Sequence, residues 1–396
     1  MQFDLKKFTE ALSLALDFAE MDYFKVNLNH SRRTAYISMM LGIKIGLDCE
    51  SLKDLYILSS LHDNGVTLSA MKKIGKEFEL MPLHCLEGEK NIVNMPFFND
   101  RKNVIKYHHE NYDGTGLFRL QGGDIPLFSQ IIHLADTLDT TYDLNHLHFN
   151  QRTEIKTFVK QNKNTLFNPM LADAFLEIAQ HERLWADLNF YNISEVLNRI
   201  TPDIILDYSW SDILKISEVF IDIIDSKSKF TYSHSRGVSE KAAKMCSFYN
   251  FPDEKKLKIK IAANLHDLGK LYIPNEILDK PGLLTTFEFQ EIKQHTYFTK
   301  LALDKIPGFA DISSWAANHH EKLNGRGYPE GLSSDELDFE SRMLAVIDIY
   351  QALTETRPYR KSLEHNRTIE ILNKMADSGF IDSSIVRDTD SIIRDN

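Results

Sequence analysis

At 396 residues, 43% hydrophobic and 26% charged, the chain is long enough for two or three domains and has the composition of a globular rather than a disordered or fibrous protein. A net charge of -11 excludes a broad electrostatic footprint for DNA or RNA, which needs a basic face. Asp4, Lys6, Lys7, Glu10 and Asp17 interrupt the N-terminal apolar residues, and no apolar run elsewhere reaches spanning length; a cytoplasmic protein with no membrane partner is expected.

In chain order, Leu52, Leu55, Tyr56 and Ser59 recur at helical spacing and lead into His62-Asp63. Leu206, Trp210, Ile213, Phe220 and Ile224, with Ile216, Val219 and Ile223 beside them, make a wide apolar stripe. That stripe predicts a helix over about 203–226, a core helix of the following domain whose other use is a homodimer or interdomain contact. Leu257, Ile259, Ile261 and Leu265 then lead into His266-Asp267. Strand-like alternation is scarce. The expected fold is all-α, two tandem helical bundles joined by a long helix, with domains at 1–195 and 196–396.

One histidine pattern occurs twice. The first copy runs His30, His62-Asp63, His84, His108-His109, Asp136, and the second His234, His266-Asp267, His295, His319-His320, Asp348. In both copies 32 residues separate the first His from the His-Asp pair and 24 separate the single His from the His-His pair. A duplicated domain is the simplest account. Ten of the fifteen histidines belong to the pattern, while His133, His146, His148, His181 and His365 read as ordinary surface or core residues.

Histidine and carboxylate side chains from separate helices are a common way to build a binuclear site in a helical core. Nitrogen and oxygen donors without thiolate suit iron or manganese, with zinc a further candidate, and two such ions per site can activate water and stabilise an in-line phosphoryl displacement. Hydrolysis of a phosphate ester is the reaction expected. The three cysteines Cys49, Cys85 and Cys246 form no close pair and no ligand-like spacing, so neither a disulfide framework nor a cysteine zinc site is expected.

Residues 234–360 resemble an HD-GYP domain, a bacterial subclass of HD phosphohydrolases. The resemblance rests on His234-Ser235-Arg236, His266-Asp267-Leu268-Gly269-Lys270, Lys280-Pro281-Gly282, His295, His319-His320-Glu321, Gly327-Tyr328-Pro329, Asp348 and Arg357-Pro358-Tyr359-Arg360. It implies a cyclic dinucleotide phosphodiesterase, with cyclic di-GMP ranked first (to linear pGpG or GMP) and cyclic GMP-AMP second. It further implies His234, His266, Asp267, His295, His319, His320 and Asp348 as metal ligands, Asp267 bridging. Lys270 would meet the scissile phosphate, Arg357 and Arg360 would contact substrate, and Gly327-Tyr328 would shape the site. The same stretch implies a protein partner of the diguanylate cyclase type. Taken alone, Gly327 and Pro329 read as a turn, with Gly327 free to adopt positive φ. Asn324, Arg326 and Gln351 depart from the usual residues, which bears on specificity more than on metal. Val26 and Phe230 stand where some relatives carry a further carboxylate, so two metals per site are expected.

The first copy resembles a divergent HD domain with the full set His30, His62, Asp63, His84, His108, His109 and Asp136. Val66 stands where Lys270 does, and Leu117-Phe118 replace Tyr328-Pro329. Without those groups the first domain reads as a regulator, or as a hydrolase for another substrate. Other functions open to the whole chain are a nucleotide phosphohydrolase and a metal or cyclic dinucleotide sensor that does not turn over.

Overall fold

The computed structural model describes residues 2–67, 80–95, 101–188, 193–228, 234–355 and 361–393. It divides into two compact units, Asp4–Ile205 and Leu206–Asn396 with Met1–Phe3. Both are helical. The described strands are Gln2–Asp4 and Ile205–Asp207, which pair as a two-stranded ribbon. Phe3 packs with Tyr208 and Phe309 in the unit that begins at Leu206, with ring centroids 6.1 and 6.0 Å away.

The first unit contains α1 (Leu5–Phe24), α2 (His30–Lys44), α3 (Cys49–Ser60), α4 (Leu80–Val93), α5 (Leu127–Thr141), α6 (Phe149–Gln161), α7 (Pro169–Ile178), α8 (Glu182–Asp187) and α9 (Ile193–Ile200). Their starts follow local chemistry. Asp4 and Asp48 cap α1 and α3 by accepting from the backbone N–H of Lys7 and Ser51, and Asn168 caps α7 with proline in the first turn. Helix α2, the centre of the unit, is buried from His30 to Met39 and packs on α3 and α5.

The second unit contains α10 (Trp210–Asp225), α11 (His234–Phe248), α12 (Asp253–Leu265), α13 (Asn275–Leu278), α14 (Thr286–Leu303), α15 (Ala310–Ala317), α16 (Phe339–Thr354), α17 (His365–Asp377) and α18 (Ser383–Ile392). The helix expected over 203–226 begins only at Trp210. Ser209 and Asp212 form a reciprocal capping box there, and Ile205–Asp207 upstream is strand. Its apolar residues Ile213, Ile216, Phe220, Ile223 and Ile224 are buried, and the helix packs on α12. Those five residues thus belong to this unit's core, while Leu206 and Trp210 are half-buried. No described helix is long and apolar enough to cross a membrane.

Candidate metal centres

In each unit the His-Asp pair follows the end of a helix, α3 or α12, and local backbone chemistry aims the imidazoles. The last carbonyls of a helix lack intrahelical partners, and the histidines use them. His62 Nδ1 donates to the Ser59 carbonyl at 2.9 Å and His266 Nδ1 to Ala263 at 2.7 Å. His295, His319 and His108 repeat the bond to the residue three back, Ile292, Ala316 and Ile105, at 2.6, 2.7 and 2.6 Å. With Nδ1 tied to a carbonyl, each ring turns Nε2 toward the centre, the arrangement that orients a ligating histidine.

The result in the second unit is two facing sets of donors around one carboxylate. Asp267 Oδ2 lies 3.3 Å from His266 Nε2 and 3.9 Å from His234 Nε2. Its other oxygen lies 3.5 Å from His295 Nε2 and 3.9 Å from His319 Nε2. Asp348 reaches His234 Nε2 at 2.9 Å and His320 Nδ1 at 4.0 Å. All seven residues singled out in the sequence come together here, and those of the first unit do the same. Asp63 Oδ2 is 3.4 Å from His62 and 3.9 Å from His30, Oδ1 is 3.2 Å from His84 and 3.5 Å from His108, and Asp136 is 3.3 Å from His30 and 3.5 Å from His109.

These residues fit metal ions. His30 Nε2, His62 Nε2, Asp63 Oδ1, His266 Nε2 and Asp267 Oδ1 are buried without a hydrogen-bond partner, an arrangement that costs about 1–3 kcal/mol per group unless another partner takes it. Burial pushes the His295 and His320 imidazoles down to about 3 and about 4, which keeps them in the neutral form that ligates. Burial raises the Asp267 carboxyl, but the charges of His266 and Lys270 outweigh it and hold it well below the ordinary range.

The two centres differ in their surroundings. In the second, a cavity of about 670 Å³ opens over Asp267, His295, His320 and Asp348 and is lined also by Lys270, Lys280 and Leu283. In the first, a cavity of about 460 Å³ over Asp63, His109 and Asp136 carries Asp139 and Asp143 against Lys25. Val66, at the position of Lys270, is fully buried. Lys270 forms an ion pair with Asp267, and Lys280 is held by Glu288.

Gly327 requires correction. Its φ is not in the left-handed region, which Gly325 and Gly331 occupy instead. Glycine is needed at 327 for space, because a Cβ would fall 2.4 Å from the Glu321 Cα and the Lys322 nitrogen. Tyr328 packs its ring against that of His320, with centroids 4.9 Å apart and the planes tilted by 43°, and so belongs to the site. Its counterpart region in the first unit differs: Phe118 packs edge-on against Tyr107. Arg357 and Arg360 lie outside the described residues.

Several residues that frame the centres went unassigned in the sequence. Glu321 accepts from the backbone N–H groups of Glu330, Gly331 and Leu332, and Glu110 from those of Phe118 and Leu120. The repeated His-His-Glu was its signal. Gly269 and Gly65 sit where a Cβ would meet the His295 or His84 carbonyl at 1.8 or 2.2 Å; their shared place three residues after His was a signal too. His30 Nδ1 is held by Asp139 at 2.7 Å and His234 Nδ1 by Glu355 at 3.3 Å, with nothing in the spacing to announce either. Cys85, set aside on spacing, lies with Sγ 3.6 Å from His84 Nε2. Burial raises its thiol, but the charges of His108 and His84 outweigh it and bring it down to about 7. Among the histidines outside the pattern, His133 bonds to Asn111, and His365 to Tyr350 and Asp390.

An all-α chain with two such centres belongs with the HD-domain proteins: residues 218–385 and residues 27–141 each match an HD-domain profile, so the chain carries two HD domains in tandem. It is 27% identical, over 97% of its length and 90% of the relative's, to 3'3'-cGAMP-specific phosphodiesterase 1 of Vibrio cholerae. It is 30% identical to a cyclic di-GMP phosphodiesterase of Pseudomonas aeruginosa over 46% of its own length and 44% of the relative's. A crystal structure of a V. cholerae cyclic GMP-AMP specific phosphodiesterase, 23% identical, covers 100% of this chain and 99% of that one with a TM-score of 0.69, a shared fold.

Proposed function

We propose that the chain is a metal-dependent phosphodiesterase that hydrolyses a cyclic dinucleotide in its second HD domain, which is of the HD-GYP type, while the first domain regulates. The observation that carries this reading is the Asp267 carboxylate, with one oxygen toward His234 and His266 and the other toward His295 and His319, beneath a cavity of about 670 Å³. That volume suits a ligand of nucleotide size. The ligands would be His234, His266, Asp267, His295, His319, His320 and Asp348, with Asp267 shared. Divalent ions held there, iron or manganese foremost, supply an activated water and stabilise phosphoryl charge.

The chain's own groups do the rest. Lys270 and Lys280 bring positive charge to the cavity that receives an anionic ligand. Ile277, Leu283 and Ile292 give it an apolar wall suited to bases. Tyr328 backs the His320 ring, and Glu321 fastens the loop that carries Tyr328. The first domain's cavity has buried Val66 in the place of Lys270 and Asp143 in its lining, while Asp139 is paired with Arg33; that weaker positive charge supports its exclusion from turnover.

The substrate we favour is 3',3'-cyclic GMP-AMP, ahead of cyclic di-GMP. The relative matched over 97% of this chain is named for the mixed dinucleotide, whereas the one named for cyclic di-GMP matches 46% of it. The test is to purify the protein without air, measure its metals and follow both dinucleotides by chromatography, with Asp267→Ala and Asp63→Ala alongside. Cleavage lost in Asp267→Ala and kept in Asp63→Ala places turnover in the second domain. If the metal-replete protein cleaves neither dinucleotide, the phosphodiesterase reading fails.

A further inference from the structure

We propose that Cys85 is a metal ligand, and that it closes one position of the first domain's centre into a site for a thiophilic divalent ion, zinc foremost, that does not serve turnover. This rests on the reading that the first HD domain holds metal at all. Cys85 is fully buried on α4, next to His84, and its Sγ falls with ligand atoms of His84, His108 and His109 in one cluster.

Two of the donor spacings are those of a coordination shell. A tetrahedral ion with bonds of about 2.05 Å to nitrogen and about 2.3 Å to sulfur places nitrogen pairs about 3.35 Å apart and nitrogen–sulfur pairs about 3.55 Å apart. His84 Nε2 and His108 Nε2 are 3.4 Å apart, and Cys85 Sγ is 3.6 Å from His84 Nε2; toward His108 the sulfur meets Nδ1, at 3.9 Å. Asp63 Oδ1 lies 3.2 and 3.5 Å from the two Nε2 atoms. That oxygen is an independent sign of a ligand, since Asp63 is 4% exposed and its Oδ1 has no hydrogen-bond partner.

The second domain makes the contrast. Its counterpart of Cys85 is Thr296, whose hydroxyl donates to the Lys293 carbonyl at 3.1 Å. The set there is Asp267, His295, His319 and His320, with His320 facing the cavity. A centre that turns over substrate keeps an open position, whereas a structural one is filled by protein donors. Thiolate also selects zinc over the harder manganese. One chain thereby holds two centres of like architecture and different metal preference.

The test is to load the full-length protein with cobalt(II) and record its near-ultraviolet spectrum. Wild type is expected to show sulfur-to-cobalt charge transfer that disappears in Cys85→Ser and survives in Cys246→Ser. Zinc retained against a competing chelator should fall about ten-fold or more in Cys85→Thr, which installs the second domain's residue. Absence of the charge-transfer band in cobalt-loaded wild type overturns the thiolate without relying on any variant. If Asp63→Ala leaves the metal content unchanged, the first domain holds no metal and the underlying reading falls instead. A drop in metal content with no band in wild type spares that reading and sinks the role of Cys85.

Discussion

Replacing Glu321 by Gln tests whether one buried carboxylate holds the loop that completes the second centre. Glu321 is 4% exposed and accepts backbone N–H groups at 2.7 Å from Glu330, 3.0 Å from Gly331 and 3.0 Å from Leu332. Glutamine keeps the shape but has one acceptor oxygen, and its amide turns N–H toward a backbone N–H. At least one bond is lost and a buried donor is left facing another, so the cost is about 3 kcal/mol. For a unit of this size that corresponds to a fall of about 6–12 °C in its thermal midpoint. Tyr328 lies in the same loop and packs against His320, so kcat/KM should fall as well. Differential scanning calorimetry on wild type and Glu321→Gln reads the first effect, and dinucleotide turnover the second. A midpoint within about 1 °C of wild type would refute the reasoning, because it would mean that solvent already satisfies those three N–H groups.

Further outcomes follow from the same geometry. Asp267→Asn should abolish turnover and lower metal content, since one oxygen of the shared carboxylate becomes an amide nitrogen with no lone pair to offer; steady-state kinetics with metal analysis checks both. Tyr328→Phe should stay within about three-fold of wild type in kcat/KM, while Tyr328→Ala loses about ten-fold through the ring contact with His320. Lys280→Ala should raise KM about ten-fold at little change in kcat, the loss of one charge-assisted contact of about 1.5 kcal/mol. Chelation should remove activity and lower thermal stability by about 5–10 °C, given about 2.7 kcal/mol from an ion at a hundred times its dissociation constant. Reloading with manganese should restore both, and calorimetry before and after shows it.

Much of this molecule is legible in one dimension. The identical intervals from His30 to His62 and from His234 to His266 reveal the duplication, because a domain that keeps its ligands must keep the helices that present them. Helical spacing before His62 and His266 announces an all-α fold, since apolar residues every three or four positions bury only one face of a helix. The fourteen residues of the two histidine patterns follow from the same repetition. The start of α10 was misplaced because a strand precedes the Ser209 cap, and three residues of pairing leave no periodic signal.

Tertiary structure alone decides how each centre is finished. Spacing along the chain does not say that Asp139 and Glu355 lie behind the first histidine of each set, that Gly327 is required by the backbone of Glu321, or that Tyr328 leans on His320. Those contacts join residues far apart in sequence or set by a turn's path. Cys85 is the clearest case: its spacing from the other cysteines argues against a metal role, yet α4 brings its sulfur to 3.6 Å from His84 Nε2. A side chain's partners are set by which helix faces pack, and packing is a property of the folded core rather than of the interval between two letters.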